Sequence, residues 1–365
     1  MLIKLTPSRH RDRRRLGGRR WQVFLLVLLL LLVSLVTFRV ETTNESNDDA
    51  VSSHDVFRSA PAFTTPVPSA VVLDAKSSTW SAWLGGGTTS LGPARALLYA
   101  FGLPIYNADA STPRVRVIVD NEPGWGTNDL SQQPVPIPAN AASNTGSDGK
   151  FVVVDTTNAK VYDLLGTSIV NGQWHAAWGG VYALNGSGSS PNPDYTPTTR
   201  TGVPNPITWP QPTSRSTGSG ISSYQGVVRA REIANGSINH ALVFATDHAC
   251  GPSNSGPYRF PATTTDGNYT GTDCIPEGTR IQLDPSINID TIPAITPGER
   301  AVAKALQRYG AYVTDNAPDR MSFAFETPKP GDTNPYPAAG FTGDYYNMPH
   351  IPWNHLRALH NSQGT

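Results

Sequence analysis

Asp148, His240 and Asp315 carry the side chains that acid–base catalysis needs. Carboxyl groups and an imidazole give and take protons near neutral pH, and a carboxyl pair is the minimum for cleaving a glycosidic bond. Trp178 offers a flat ring to stack on a pyranose face, and Asp163 an acceptor for sugar hydroxyls. Each candidate has a plainer structural reading. Asp148 before Gly149, Asp155 before Thr156 to Asn158, and Asp315 beside Asn316 all have the chemistry of turn residues. In a strand, His240 shares a face with Leu242 and Phe244, where histidine is more often part of the core. Glu232 is better placed for an ion pair with Arg229 than for acid catalysis. The period of two puts Trp174 and Trp178 on one face and His175 on the other, so the three cannot stack on one ligand without a bulge.

Missing motifs narrow the chemistry. There is no Gly-x-Ser-x-Gly elbow, His-Glu-x-x-His helix or phosphate-binding glycine loop, which removes the usual support for serine esterases, zinc peptidases and nucleotide-dependent enzymes. His248 follows Asp247 near Cys250 but has no third ligand at readable spacing. A polar loop fits better than a metal centre, and neither a metal nor a cofactor is expected. Cys250 and Cys274 are the only cysteines, bracket a Gly-, Ser- and Thr-rich loop, and lack CxxC or CxxH spacing; they are expected to form a disulfide.

A set of motifs runs from Pro134 to Asn316. Ser147-Asp148-Gly149-Lys150 leads into Phe151 to Asp155, followed by Tyr162-Asp163 and Trp178-Gly179-Gly180. Gly226, Arg229, Glu232 and Ile233 follow, then His240-Ala241-Leu242, then Pro276, Gly278 and Arg280, and finally Leu306, Gln307, Tyr309 and Gly310 before Asp315-Asn316. In order and spacing this series resembles a family of uncharacterised secreted bacterial proteins. The resemblance implies homology over about half the chain and supplies no activity. The Arg-rich start and the Pro-rich loop after Asn185 are individual to this chain.

The elements that must position these residues are short, apolar and β-branched: 114–120, 151–155, 180–184, 238–246, 279–283 and 321–325. With no regular helix between them, they predict a mainly β domain, an antiparallel β-sandwich or jelly roll with few short helices. One helix is predicted from Pro297 to Tyr309, with Thr296 as its cap and Gly310 as its stop.

The N-terminus sets the expected location. Residues 1–20 hold a basic cluster with Asp12 its one acid, and Trp21 to Phe38 is almost wholly apolar, long enough at roughly 1.5 Å per residue to span most of a bilayer core. The run lacks the small-residue exit of a cleaved signal peptide and predicts a transmembrane signal anchor over 21–40. The basic tail then stays cytoplasmic and the C-terminal domain extracytoplasmic, at the cell membrane. A Ser/Thr-rich stalk is expected over 41–70 and the β-rich domain over 71–365. The whole chain carries 28 basic and 28 acidic residues, so removing the basic tail leaves an acidic domain without electrostatic attraction for nucleic acid. Sequons at Asn44, Asn185, Asn235 and Asn268 are compatible with an outside location. The expected partners are the membrane, through the helix, and a polysaccharide. The expected function is a carbohydrate-active enzyme, a glycoside hydrolase or polysaccharide lyase; the alternatives are a glycan- or protein-binding module and a structural envelope protein.

Overall fold

The computed structural model describes residues 57, 60–86, 93–190, 197–199, 208–210 and 215–360. The expected cytoplasmic tail, the membrane anchor and most of the stalk lie outside them. Among the described residues no helix is long and apolar enough to cross a membrane.

The protein is mostly β. The strands, in chain order, are β1 (Ala94–Leu97), β2 (Ile105–Ala108), β3 (Arg114–Val115), β4 (Val117–Val119), β5 (Val135–Pro136), β6 (Phe151–Asp155), β7 (Lys160–Val170), β8 (Gln173–Ala183), β9 (Pro197–Thr199), β10 (Thr208–Pro210), β11 (Leu242–Thr246), β12 (Arg280–Leu283), β13 (Ala311–Asn316), β14 (Met321–Ala324) and β15 (Leu356–Ala358). Short helices punctuate them: α1 (Pro61–Thr64), α2 (Ser77–Gly85), α3 (Glu122–Trp125), α4 (Asp129–Gln132), α5 (Ala230–Asn235) and α6 (Pro297–Arg308). The two large sheets run β1-β14-β11-β13-β12-β15 and β2-β6-β7-β8-β4, and β3–β5 and β9–β10 form separate two-stranded pairs.

Both sheets are mixed, which departs from the antiparallel pairing expected. β1 lies parallel to β14, β11 to β13, β2 to β6 and β4 to β8. The long β7–β8 hairpin is antiparallel. Local patterns mark strands but carry no signal for which distant strand becomes the neighbour, and parallel pairs join segments far apart in sequence.

Burial explains the uninterrupted apolar runs. On β6, Val152 and Val154 join β11's Val243 and β13's Tyr312 in one cluster, whereas Phe151 and Val153 join Trp178 and Leu164 in another. On β11, Leu242 and Phe244 point away from Val243 into a third cluster with α6. Strands covered on both faces need apolar residues at every position. Phe57 and Phe63 also belong to the shared cluster, with Phe57 against Tyr182 and Tyr224 and Phe63 against Tyr312. Phe57 and Phe63, within the span expected as stalk (41–70), are thus packed in the core.

α6 forms where its residues predict. Thr296 Oγ1 accepts from the Glu299 amide at 3.2 Å, and the Glu299 carboxylate accepts from the Thr296 amide at 2.9 Å, a reciprocal cap. Gly310 follows with φ +72°. Val302 and Leu306 are buried, each contributing about 1.5–3 kcal/mol. Arg280 Nε donates to the Tyr309 carbonyl at 2.7 Å, so the Pro-x-Gly-x-Arg and Leu-Gln-x-Tyr-Gly motifs meet at the helix C-terminus. Cys250 and Cys274 form the expected disulfide.

Candidate active site

A cavity of about 290 Å³ lies where the Asp148–Lys150 turn meets the C-terminal ends of β11 and β13. Asp148, Lys150, Ser222, Ser223, Gln225 and Asp315 supply polar groups, and Leu97, Leu103, Val243 and Ala324 form an apolar wall. Phe101 and Tyr345 also line it, as do the polar Thr217, Asn316, Asp319 and Ser322.

The turn that carries Asp148 and Lys150 is pinned to β7: Gly166 donates to the Asp148 carbonyl at 2.7 Å and Thr167 to the Gly149 carbonyl at 3.0 Å. Lys150 Nζ then sits 3.2 Å from Asp148 Oδ2 and 3.9 Å from Asp315 Oδ2, so one ammonium joins the two carboxyl groups. Asp315 reaches the cavity through an irregularity in the sheet. β11 and β13 pair Phe244 with Val313 but Ala245 with Asp315, leaving Thr314 as an extra residue. In a regular strand Thr314 and Asp315 would face opposite sides; this bulge lets both line the cavity.

Behind Asp315 lies an unusual concentration of buried charge. Asp315 Oδ1 accepts from the Asn316 amide at 3.0 Å and the Gly218 amide at 3.3 Å. Asp266 packs on Gly218 so closely that a β-carbon there would stand 1.9 Å from its Oδ1. Glu277 is fully buried. Arg215 belongs to the same group, donating to Thr264 Oγ1 at 3.1 Å. Asp315 is 23% exposed at the cavity, but the protein around it is dense. Burial first, and the Asp266 charge second, push its carboxyl up to about 8 against the pull of Lys150. The same two causes raise Glu277 well above the ordinary carboxyl value. Burial opposes the Lys150 charge, but Asp315, Asp148 and Asp266 outweigh it, and the ammonium titrates above the usual lysine value. These effects favour a proton on Asp315 and a charge on Lys150.

Asp163 lies beneath the cavity and not at its surface. Its Oδ2 accepts from Ser222 Oγ at 2.7 Å, from the Ser223 amide at 2.6 Å and from Ser216 Oγ. Ser222 and Ser223 line the cavity, whereas Asp163, expected to contact substrate, does not and meets the wall through these two residues. Burial pushes its carboxyl up to about 6, despite those bonds.

His240 and Trp178 do not join Asp148 and Asp315. His240 is 2% exposed, with Nδ1 2.9 Å from the Ala241 carbonyl and Nε2 3.1 Å from Glu232. It precedes β11, whereas Asp315 pairs near that strand's far end; at about 3.3 Å per residue the two are roughly 15 Å apart along the sheet. Trp178 is buried in the cluster that includes Phe151 and Val153, its ring 5.4 Å from Trp125. Its β8 position points away from the face shared by the two sheets, so it cannot stack on a ligand in this cavity.

Glu232, Arg229, Asp155 and His248 do not line the cavity. Glu232 Oε2 also accepts from the Arg229 amide at 2.9 Å, and the Arg229 guanidinium pairs with Glu326 at 3.1 Å, so the expected Arg229–Glu232 contact is made through the backbone. Asp155 binds Arg114 at 2.6 Å and the Asn158 amide at 3.1 Å, the turn reading. His248 lies between the rings of Trp83 and Tyr269, at 4.3 and 3.7 Å. Among the described residues no group of three acidic, His or Cys side chains could hold a metal ion.

Lys150, Asp266, Glu277, Gln225 and Tyr345 escaped the sequence reading. Lys150 stood in the Ser-Asp-Gly-Lys motif and was the one recoverable signal; the others converge only through long-range pairing. No family model, curated protein or solved structure matches the chain.

Proposed function

We propose that the protein is a membrane-anchored extracytoplasmic enzyme that cleaves glycans by acid–base chemistry, with the two mixed sheets as the layers of a β-sandwich that presents the cavity. The observation that carries this reading is the placement of Asp148 and Asp315 on one ammonium at the cavity. Asp315 is the proton donor to the glycosidic oxygen. Asp148 accepts the proton of the water that attacks the anomeric carbon, or, in a lyase, the proton lost from the sugar ring. Lys150 fixes the distance between them. The disulfide and the N-terminal apolar run support an oxidising, extracytoplasmic setting.

The test is a polysaccharide-degradation screen of the full chain in detergent or nanodiscs. D315N and D148N are each expected to lower turnover by a hundredfold or more, the usual range for removing an acid or base, with binding retained. Turnover surviving both substitutions would remove the catalytic assignment. A non-catalytic glycan-binding module is the second reading, favoured by the aromatic pair Phe101 and Tyr345 at the cavity. It predicts binding without cleavage in the wild type.

A further inference from the structure

The β7–β8 hairpin reaches beyond the sheet it belongs to. Each strand has 11 residues, but β6 pairs only with Lys160–Leu164 and β4 only with Trp174–Ala176. Asn171 and Gly172 close the end, with φ of +50° and +78°, the positive values that a tight two-residue turn needs. On this tip Ile169 and Val170 are 60% and 47% exposed, and Ile118 on the neighbouring β4 is 41% exposed. Cross-strand register puts Ile118 in line with His175 and Ser168, hence on the face of Val170, whereas Ile169 and Trp174 share the other face. The tip is therefore apolar on both faces.

Its surroundings point to what covers it. From Leu164 to Ser190 the chain has no Asp, Glu, Lys or Arg, so covering the tip takes no permanent charge out of water. Charges stand behind it as a collar: exposed Arg116 and Asp120 flank Ile118, and Asp120 Oδ1 lies 2.8 Å from His175 Nδ1. An exposed apolar patch with a polar rim marks a contact with protein or membrane. A protein surface covers one face of a projecting hairpin, whereas a bilayer surrounds both. The chain also limits how far the tip can stray. Only 18 residues separate Phe38, the end of the apolar run, from Phe57 in the core. At about 3.5 Å each they extend to roughly 60 Å at most, which keeps the domain beside any bilayer that holds the run.

We infer that the β7–β8 tip is a second membrane contact, seating Ile169 and Val170, with Ile118 at the edge, about 5–10 Å into the head-group region of the outer leaflet. The inference rests on the membrane-anchored reading above and adds where the cavity works. Gly166, whose amide holds the Asp148 carbonyl, precedes Ile169 by three residues, roughly 10 Å along the strand. Seating the tip therefore brings the Asp148–Lys150 edge of the cavity to glycan presented at the membrane surface.

Depth-dependent quenching of the full chain in phosphatidylcholine proteoliposomes tests it. The two native cysteines are joined, so a fluorophore on V170C labels one site. F260C is the control: Phe260 is 51% exposed but shares a pocket with Tyr182 and Ala183, at the opposite end of β8. Nitroxide-labelled lipid is expected to quench V170C roughly twofold or more over F260C, and aqueous iodide to do the reverse. Adding I169D to V170C should bring both quenchers to the F260C level. Equal lipid quenching at the two sites, or a V170C signal shielded from iodide yet untouched by the lipid nitroxide, as burial against a second copy would give, would each overturn the inference. Preferential quenching that survives I169D would overturn it as well. Carbonate extraction of the same vesicles reads the anchor separately: retention with equal quenching would keep the anchor and sink the tip contact, and release with preferential quenching would do the opposite.

Discussion

At the scale of single residues, Asp315 and His240 show how one sequence places similar proton-bearing groups in opposite circumstances. Asp315 meets the cavity, and in the proposed reaction it must be protonated to act as a donor, so that reaction predicts turnover below about pH 8 that falls as pH rises through it. Asp266 is the charge that helps hold that proton, and D266N should move the falling limb to lower pH; a pH–rate profile with an unmoved limb would count against that positioning role. His240 is buried against Glu232. That carboxylate holds the imidazole above its usual value despite burial, and the imidazole in turn lowers Glu232. H240L would strand a buried carboxylate and should cost about 3–5 kcal/mol in denaturant unfolding, while kcat of the folded fraction stays near wild type. A large loss of kcat without loss of stability would return His240 to the catalytic group.

Elements decide what those residues can reach. The Thr314 bulge is the clearest case, because deleting that residue would restore a regular β11–β13 register and turn Asp315 off its present course. The deletion should leave far-UV circular dichroism close to wild type and reduce activity to the level of D315N; unchanged activity would show that the bulge does not aim the side chain. α6 obeys local rules, and its reciprocal cap predicts that T296A costs about 1 kcal/mol, measured as a shift in the unfolding midpoint.

For the whole molecule, buried carboxyls tie stability to pH. Asp163 and Asp315 titrate at about 6 and about 8 in the fold against 3.8 for an ordinary aspartate, and Glu277 is also raised. The folded state holds these protons more tightly than the unfolded chain. Their contribution is therefore fully present below the unfolded value and is lost as pH rises through about 6 and then about 8. His240, also raised, adds to the loss on the alkaline side, whereas Glu232, which is lowered, costs stability only in acid. Thermal melts should fall steadily from pH 6 to 9, and the D315N melt should fall less over the same range. A melting temperature that climbs over that interval would contradict the buried-carboxyl account. The disulfide closes a sequence separation of 24 residues, and replacing both cysteines by serine should cost about 3 kcal/mol.

Local physics left its mark on the sequence and could be read there. Thr296, Pro297 and Gly310 set out α6 because capping and stopping are decided within a few residues. The run Phe151 to Asp155 marked a strand because burial on both faces demands apolar side chains throughout, and the isolation of Cys250 and Cys274 from any ligand spacing marked a disulfide. Asp148 and Asp315 were legible as candidate carboxyls by type alone. Which of the candidates meet was settled only by tertiary structure. Parallel pairing of β11 with β13 carries Asp315 to one end of the sheet and leaves His240 near the other, and the facing of β8 buries Trp178. Long-range packing surrounds Asp315 with Asp266, Glu277 and Lys150, and brings Tyr345 to the same cavity. Strand pairing and shared burial join residues more than a hundred positions apart, and no short-range pattern in a single sequence records those distances.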